Sequence, residues 1–106
     1  MIGRIGTREA FERLRRTGRR VRVDPLWCTY VHDPTMTTPS VAFAISRATG
    51  NAVTRNRLRR RLRAILVDSD VPPGLLLIGV TPAAAELTFE QLADTVGRLL
   101  PRLRTR

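Results

Sequence analysis

The chain has 106 residues, enough for one domain with a single modest core. Its 19 basic residues, all arginine, stand against 9 acidic ones for a net charge of +10, and so positive a field implies a polyanionic partner, of which nucleic acid is the commonest. No stretch approaches the roughly 18 apolar residues of a membrane span, and one cysteine (Cys28) with one histidine (His32) excludes an intramolecular disulfide and offers no convincing metal cluster. The opening MIGRIGTREAFERL has no apolar run of export type, so a cytoplasmic protein is expected. Cys28 reads as a small strand residue and His32 as an exposed loop residue, neither a good catalytic candidate.

Thr7 can cap a first helix from about Arg8 to Thr17, with Glu9 in its first turn, Phe11 and Leu14 on one face, and Gly18 as its stop. GRRVRVDPLWCTYV then reads as extended: a piece at Val21–Val23, a break at Asp24-Pro25, and a strand from Leu26 to Val31. His32 to Pro39 is turn and loop. VAFAISR, residues 41–47, alternates Val41, Phe43 and Ile45 with Ala42, Ala44 and Ser46, giving a strand with one bulky and one shallow face. Asn51 or Thr54 can cap a second helix through about Val67. LLLIGV, residues 75–80, is the apolar run of a strand covered on both sides. Thr88 and Gln91 form a capping box before Phe89, Leu92, Ala93, Val96, Leu99 and Leu100 at helical spacing. Pro101 should stop or kink that helix and leave residues 101–106 with a basic tail. The expectation is one α+β domain over residues 1–106, a two-layer sandwich in the order helix, three strands, helix, strand, helix, with about four strands and three helices.

The second helix carries the functional signal. Leu58, Leu62, Ile65 and Leu66 form one apolar stripe, while Asn56, Arg60 and Arg63 point away from it and Arg57, Arg59 and Arg61 spread along its flanks. Arg55/Arg59, Arg57/Arg61 and Arg59/Arg63 are like-charge i,i+4 pairs, each costing about 0.2–0.5 kcal/mol. Arg55 and Arg57 also lie near the positive end of the helix dipole, while Asp68 and Asp70 lie beyond its negative end. Charges placed so badly for self-stability are well placed for phosphates. Two alternatives stay open on the residues alone: a solvated charged face, and an amphipathic membrane-surface helix that would need the Leu/Ile stripe for lipid.

GNAVTRNRLRRRLR, residues 50–63, preceded by AISR, resembles the signature of the bacterial ribonuclease P protein component. AFERLRRTGRRVR and PAAAELTFEQL extend the resemblance over essentially the whole chain. It implies a protein that binds a large catalytic RNA and helps it remove the 5′ leader of precursor tRNA. The RNA then carries the chemistry, with Mg²⁺ held through the RNA, no cofactor bound by the protein and no DNA partner. It also implies a left-handed strand–helix–strand crossover, an exception to the usual hand. By the same resemblance Asn51, Arg55, Asn56, Arg57, Arg59, Arg60 and Arg63 contact the catalytic RNA.

A shallow cleft between the first helix and the sheet would hold the single-stranded leader, with Phe11, Arg15, Tyr30 and Arg47 as its candidates. Phe11 matches a family aromatic, although beside Leu14 it would serve equally well as core. Trp27 and Tyr30 lie on opposite faces of one strand, so at most one lines the cleft. Arg15 stands where some relatives carry a second aromatic, and Ala48 where a second basic residue often follows the strand. Both departures shift leader contacts toward charge and away from stacking. A DNA-binding or ribosomal-type structural module using the same helix is the competing reading. A nuclease acting alone lacks a nucleophile–base pair or carboxylate pair to support it.

Overall fold

The computed structural model describes residues 2–104. Its elements run β1 (Gly3–Arg4), α1 (Arg8–Thr17), β2 (Arg19–Val23), β3 (Leu26–His32), β4 (Ser40–Ala44), α2 (Ala52–Val67), β5 (Gly74–Val80) and α3 (Phe89–Leu99), with 3-10 turns at Arg47–Thr49, Pro82–Glu86 and Leu100–Leu103. The α+β class with three helices holds, and β1 adds a fifth strand to the four expected. It pairs in parallel with β4 at only two positions, Gly3 with Ser40 and Arg4 with Val41.

The sheet is mixed, in the order β1-β4-β5-β3-β2. β5 lies between β4, parallel to it, and β3, antiparallel to it. LLLIGV is uninterruptedly apolar because this strand has a neighbour on each side, helices over one whole face and α1 over the start of the other. α2 is the crossover that joins the parallel pair β4 and β5.

One face of the sheet carries the main core: Leu26, Cys28, Tyr30, Val41, Leu76 and Ile78 pack against Leu58, Leu62, Ile65 and Leu66 of α2 and Leu92, Val96 and Leu99 of α3. Burial of the four α2 side chains is worth about 6–12 kcal/mol at about 1.5–3 each. The three like-charge pairs of that helix cost about 0.6–1.5 kcal/mol together, so the stripe wins and the helix holds. Burial also pushes the Cys28 thiol up to about 11, against smaller opposing effects of the Val21 main chain and Arg19.

The other face is covered only at one end, where Leu14 of α1 packs with Ile5, Val31 and Leu75. The sheet thus has helices on both sides, two on the main face and one on this second face. Thr7 caps α1 by accepting from the Ala10 N–H at 3.1 Å. Gly18 ends it because the chain there passes so close to the Leu14 carbonyl and Thr29 that a Cβ would overlap both. Arg13 ties α1 to the loop after β3 through Asp33 at 2.9 Å. Hydrogen bonds from Thr35 and then Arg13 hold the Asp33 carboxyl at about 2.

At the C-terminus the expected basic tail is, in its described part, a closed turn. Leu100 and Leu103 are both buried in the main core. Arg19 donates to the Arg102 carbonyl at 2.7 Å, and Arg102 donates to the Arg22 carbonyl at 3.3 Å. Residues 105 and 106 of the expected tail lie outside the described residues.

Candidate nucleic-acid interface

α2 begins at Asn51, whose side-chain oxygen accepts from the Thr54 N–H at 2.9 Å. Of the two caps the sequence allows, Asn51 is the one used, which leaves its amide NH₂ for an outside partner. Arg55 is half-buried and turns its Nε back to the Gly50 carbonyl at 3.2 Å, so it braces the helix start as well as charging it. Arg59 donates to Asn56 Oδ1 at 2.8 Å. Asn56, Arg57 and Arg60 are exposed, and Arg59, Arg61 and Arg63 are partly so.

Among the described residues, ion pairs engage Arg13, Arg15, Arg22, Arg98 and Arg104, and none of the six arginines of α2. The chain therefore neutralises scattered cations and leaves the concentrated ones to solvent. A solvated face of ordinary type mixes its signs; this one does not. The membrane-surface alternative also lapses, because Leu58, Leu62, Ile65 and Leu66 are buried against the sheet and α3.

Arg59, Arg60 and Arg63 also converge with Asn56 on a groove of about 540 Å³, whose far wall is Arg4 and whose floor includes Phe43. Arg4 gave no sequence signal, since it lies in a two-residue strand that meets its partner through the fold.

The second surface is the open part of the α1 face. Strand register brings Trp27, Gly79 and Ala44 into one row and Thr29, Leu77 and Ala42 into the next, with Arg22 and Arg20 at the β2 ends. The shallow face read from Ala42 and Ala44 is the floor here. Trp27 lies flat across β5 because residue 79 is glycine: a Cβ there would overlap the indole ring. The Arg20 guanidinium covers that ring at 4.3 Å from its centroid. On α1, at 100° per residue, Phe11 and Arg15 fall on one side of Leu14 and Arg13 and Thr17 on the other. Arg13 and Thr17 line the groove at the His32 and Pro73 end, so Phe11 and Arg15 flank the open floor. Phe11 is 43% exposed, which removes it from the core. Arg15 is already paired with Glu12 at 2.7 Å.

Two of the expected cleft residues stand elsewhere than the strand pattern suggests. Tyr30 is not on the open floor: it shares the alternation of Leu26 and Cys28, is 4% exposed in the main core, donates its hydroxyl to the Pro73 carbonyl at 2.6 Å, and reaches only the groove that Arg13 and Thr17 line at the Pro73 end. Burial pushes its phenol upward, against Arg104 and Arg19. Trp27 takes its place, and the signal for it was Gly79, distant in the sequence but its direct partner across the sheet. Arg47 belongs to the exposed 3-10 turn after β4, not to the strand. It stands beyond the Gly79 end of the floor, opposite the α1 end. Among the described residues no group of three or more His, Cys, Asp or Glu side chains is placed to hold a metal.

Fold and surface together define a small α+β protein that presents one unneutralised arginine helix beside an open, aromatic-floored sheet face. The family model for ribonuclease P matches residues 3–104. The chain is 37% identical over 112 residues to the ribonuclease P protein component of Micrococcus luteus, covering 91% of this chain and 84% of that one. It is 39% identical over 100 residues to that of a Nocardioides species, covering 91% and 83%. Among solved structures it resembles the ribonuclease P protein of Staphylococcus aureus, with a TM-score of 0.84 at 19% identity over 95% of this chain and 94% of that one. The Thermotoga maritima protein gives a TM-score of 0.82 at 19% identity over 93% and 96%; at such identities the likeness speaks for the fold. The chain belongs to the ribonuclease P protein family. Membership implies a place in a ribonuclease P holoenzyme, and so in tRNA processing.

Proposed function

We propose that this chain docks on the catalytic RNA of ribonuclease P through the outward face of α2 and holds the 5′ leader of precursor tRNA on the open sheet face beside α1. The observation that carries this is the set of six α2 arginines, none with a carboxylate partner among the described residues. Phosphates of a folded RNA supply the missing countercharge, and Arg57, Arg59, Arg60 and Arg63 meet them, with the NH₂ of Asn51 and the first N–H groups of α2 at the helix start. Arg55 and Asn56 shape that surface through their bonds to Gly50 and Arg59.

On the leader side, Phe11 offers a face to unstacked bases, worth about 1–3 kcal/mol with little sequence preference, and the Arg20 guanidinium laid over the Trp27 ring offers a second, charged platform. Such tolerance suits a leader site that must accept many sequences. Arg15, Arg20 and Arg47 surround that floor with positive charge. Hydrolysis is carried by the RNA and the Mg²⁺ it binds, and the assembly works in the cytoplasm.

The test is cleavage of precursor tRNA by bacterial ribonuclease P RNA at low Mg²⁺, with and without the protein. Stimulation is expected; no stimulation by well-folded protein would mark a structural RNA- or DNA-binding module instead. Cleavage by the protein without RNA would overturn the division of labour.

A further inference from the structure

The groove between α2 and β4 has a composition that phosphate docking alone does not require. Its rim is Arg4, Asn56, Arg59, Arg60 and Arg63, its floor is apolar around Phe43, and among the described residues no acidic one lines it. Among the described residues β1 pairs with β4 at Ser40 and Val41 alone, and no other strand lies beside the outer edge of β4 beyond them. The Val41 carbonyl accepts from the Ile5 N–H at 3.0 Å on that edge. Main-chain groups of a strand repeat every second residue, so the N–H and C=O of Phe43 point to the same edge.

A flat apolar floor, a hydrogen-bonding strand edge and a cationic rim are the three things that a base, its polar edge and its phosphate each need. We propose that this groove takes one unstacked nucleotide of the RNA that α2 docks on, with the base against Phe43 and the phosphate among Arg59, Arg60 and Arg63. The inference rests on the RNA-docking reading above and deepens it, turning a charged surface into a contact that feels a base. The volume, about 540 Å³, lies in the range of small-molecule sites, about 300–1,000 Å³. That is room for one nucleotide.

The experiment titrates ¹⁵N-labelled full-length protein with AMP, UMP, ribose 5-phosphate and inorganic phosphate. The nucleotides should shift the Ala42 and Phe43 amides saturably together with the Arg59 and Arg63 side-chain signals. Ribose 5-phosphate and phosphate should bind at least roughly fivefold more weakly and leave Phe43 unmoved. Equal response to ribose 5-phosphate, or shifts confined to Trp27 and Thr29 on the other face, overturns the proposal. A second arm uses Phe43→Ala, checked for folding by thermal melting, in complex with bacterial ribonuclease P RNA. It should expose a small number of bases to dimethyl sulfate while the salt dependence of binding stays unchanged; an unchanged base pattern overturns the proposal, and the titration decides alone if this variant does not fold. Nucleotide binding without salt-sensitive RNA docking would sink the reading of α2 and not the groove; docking without nucleotide shifts would sink the groove and not α2.

Discussion

Replacing Arg57 and Arg60 together by alanine removes two exposed guanidinium groups that have no carboxylate partner among the described residues. If each neutralises one phosphate, the slope of log K against log salt should fall by about 1.4–1.8, at about 0.7 per phosphate for single strands and 0.9 for duplex. Extrapolated from a common value near 1 M, that is a weakening of about 25- to 60-fold near 0.1 M salt. The same change removes three like-charge neighbours, Arg57/Arg61, Arg57/Arg60 and Arg60/Arg63, which relieves about 0.6–1.5 kcal/mol before salt screening. Stability should therefore hold or rise, with Tm unchanged or a few degrees higher. Filter binding or anisotropy with bacterial ribonuclease P RNA across a salt series, alongside thermal melts, measures both quantities. An unchanged slope would show that these groups do not meet phosphate, and a large drop in Tm would show that they are structural after all.

Gly79→Ala should displace the indole of Trp27, which lies where the new methyl would stand; the prediction is weaker leader binding and a shifted emission of the single tryptophan, with catalytic-RNA affinity retained. Cys28, buried and held near 11, should resist thiol reagents at pH 7–8 until denaturant unfolds the chain; rapid labelling of folded protein would refute its placement. Asp33 has its folded pKa lowered from 3.8 to about 2, so its contribution to stability is fully present above the unfolded value and lost as pH falls through the folded one. Asp33→Asn should flatten the fall of Tm between about pH 4 and pH 2; identical acid profiles would remove the role assigned to its bonds with Thr35 and Arg13.

What could be seen in the sequence was what is local. The α2 stripe, the Thr88–Gln91 box, the stop at Gly18 and the shallow Ala42/Ala44 face all follow from periodicities or caps within a few residues, and each stands in the structure. β1 escaped because two residues have no period, and each pairs with a residue 37 positions later. The choice between Trp27 and Tyr30 escaped for a different reason: alternation separates them but does not say which face is open. That is decided by Gly79, a neighbour only after β3 and β5 pair. Leu103 was misjudged because RLRTR looks like a tail, although Leu100 and Leu103 sit three apart, the period of the turn that buries them.

The place of β5 in the sheet also bears on how the chain is made. The pair β3 with β2 and the pair β4 with β1 are not neighbours of each other in the sheet; only residues 74–80 join the two halves. During synthesis from the N-terminus, the arginine helix leaves the ribosome before the strand that completes its platform. For that interval the nascent chain shows its cations with no sheet beneath them, so polyanions present at the moment of translation compete with folding itself. The native surface and the newborn one carry the same charges, and only the arrival of one short apolar strand separates selective docking from indiscriminate adhesion.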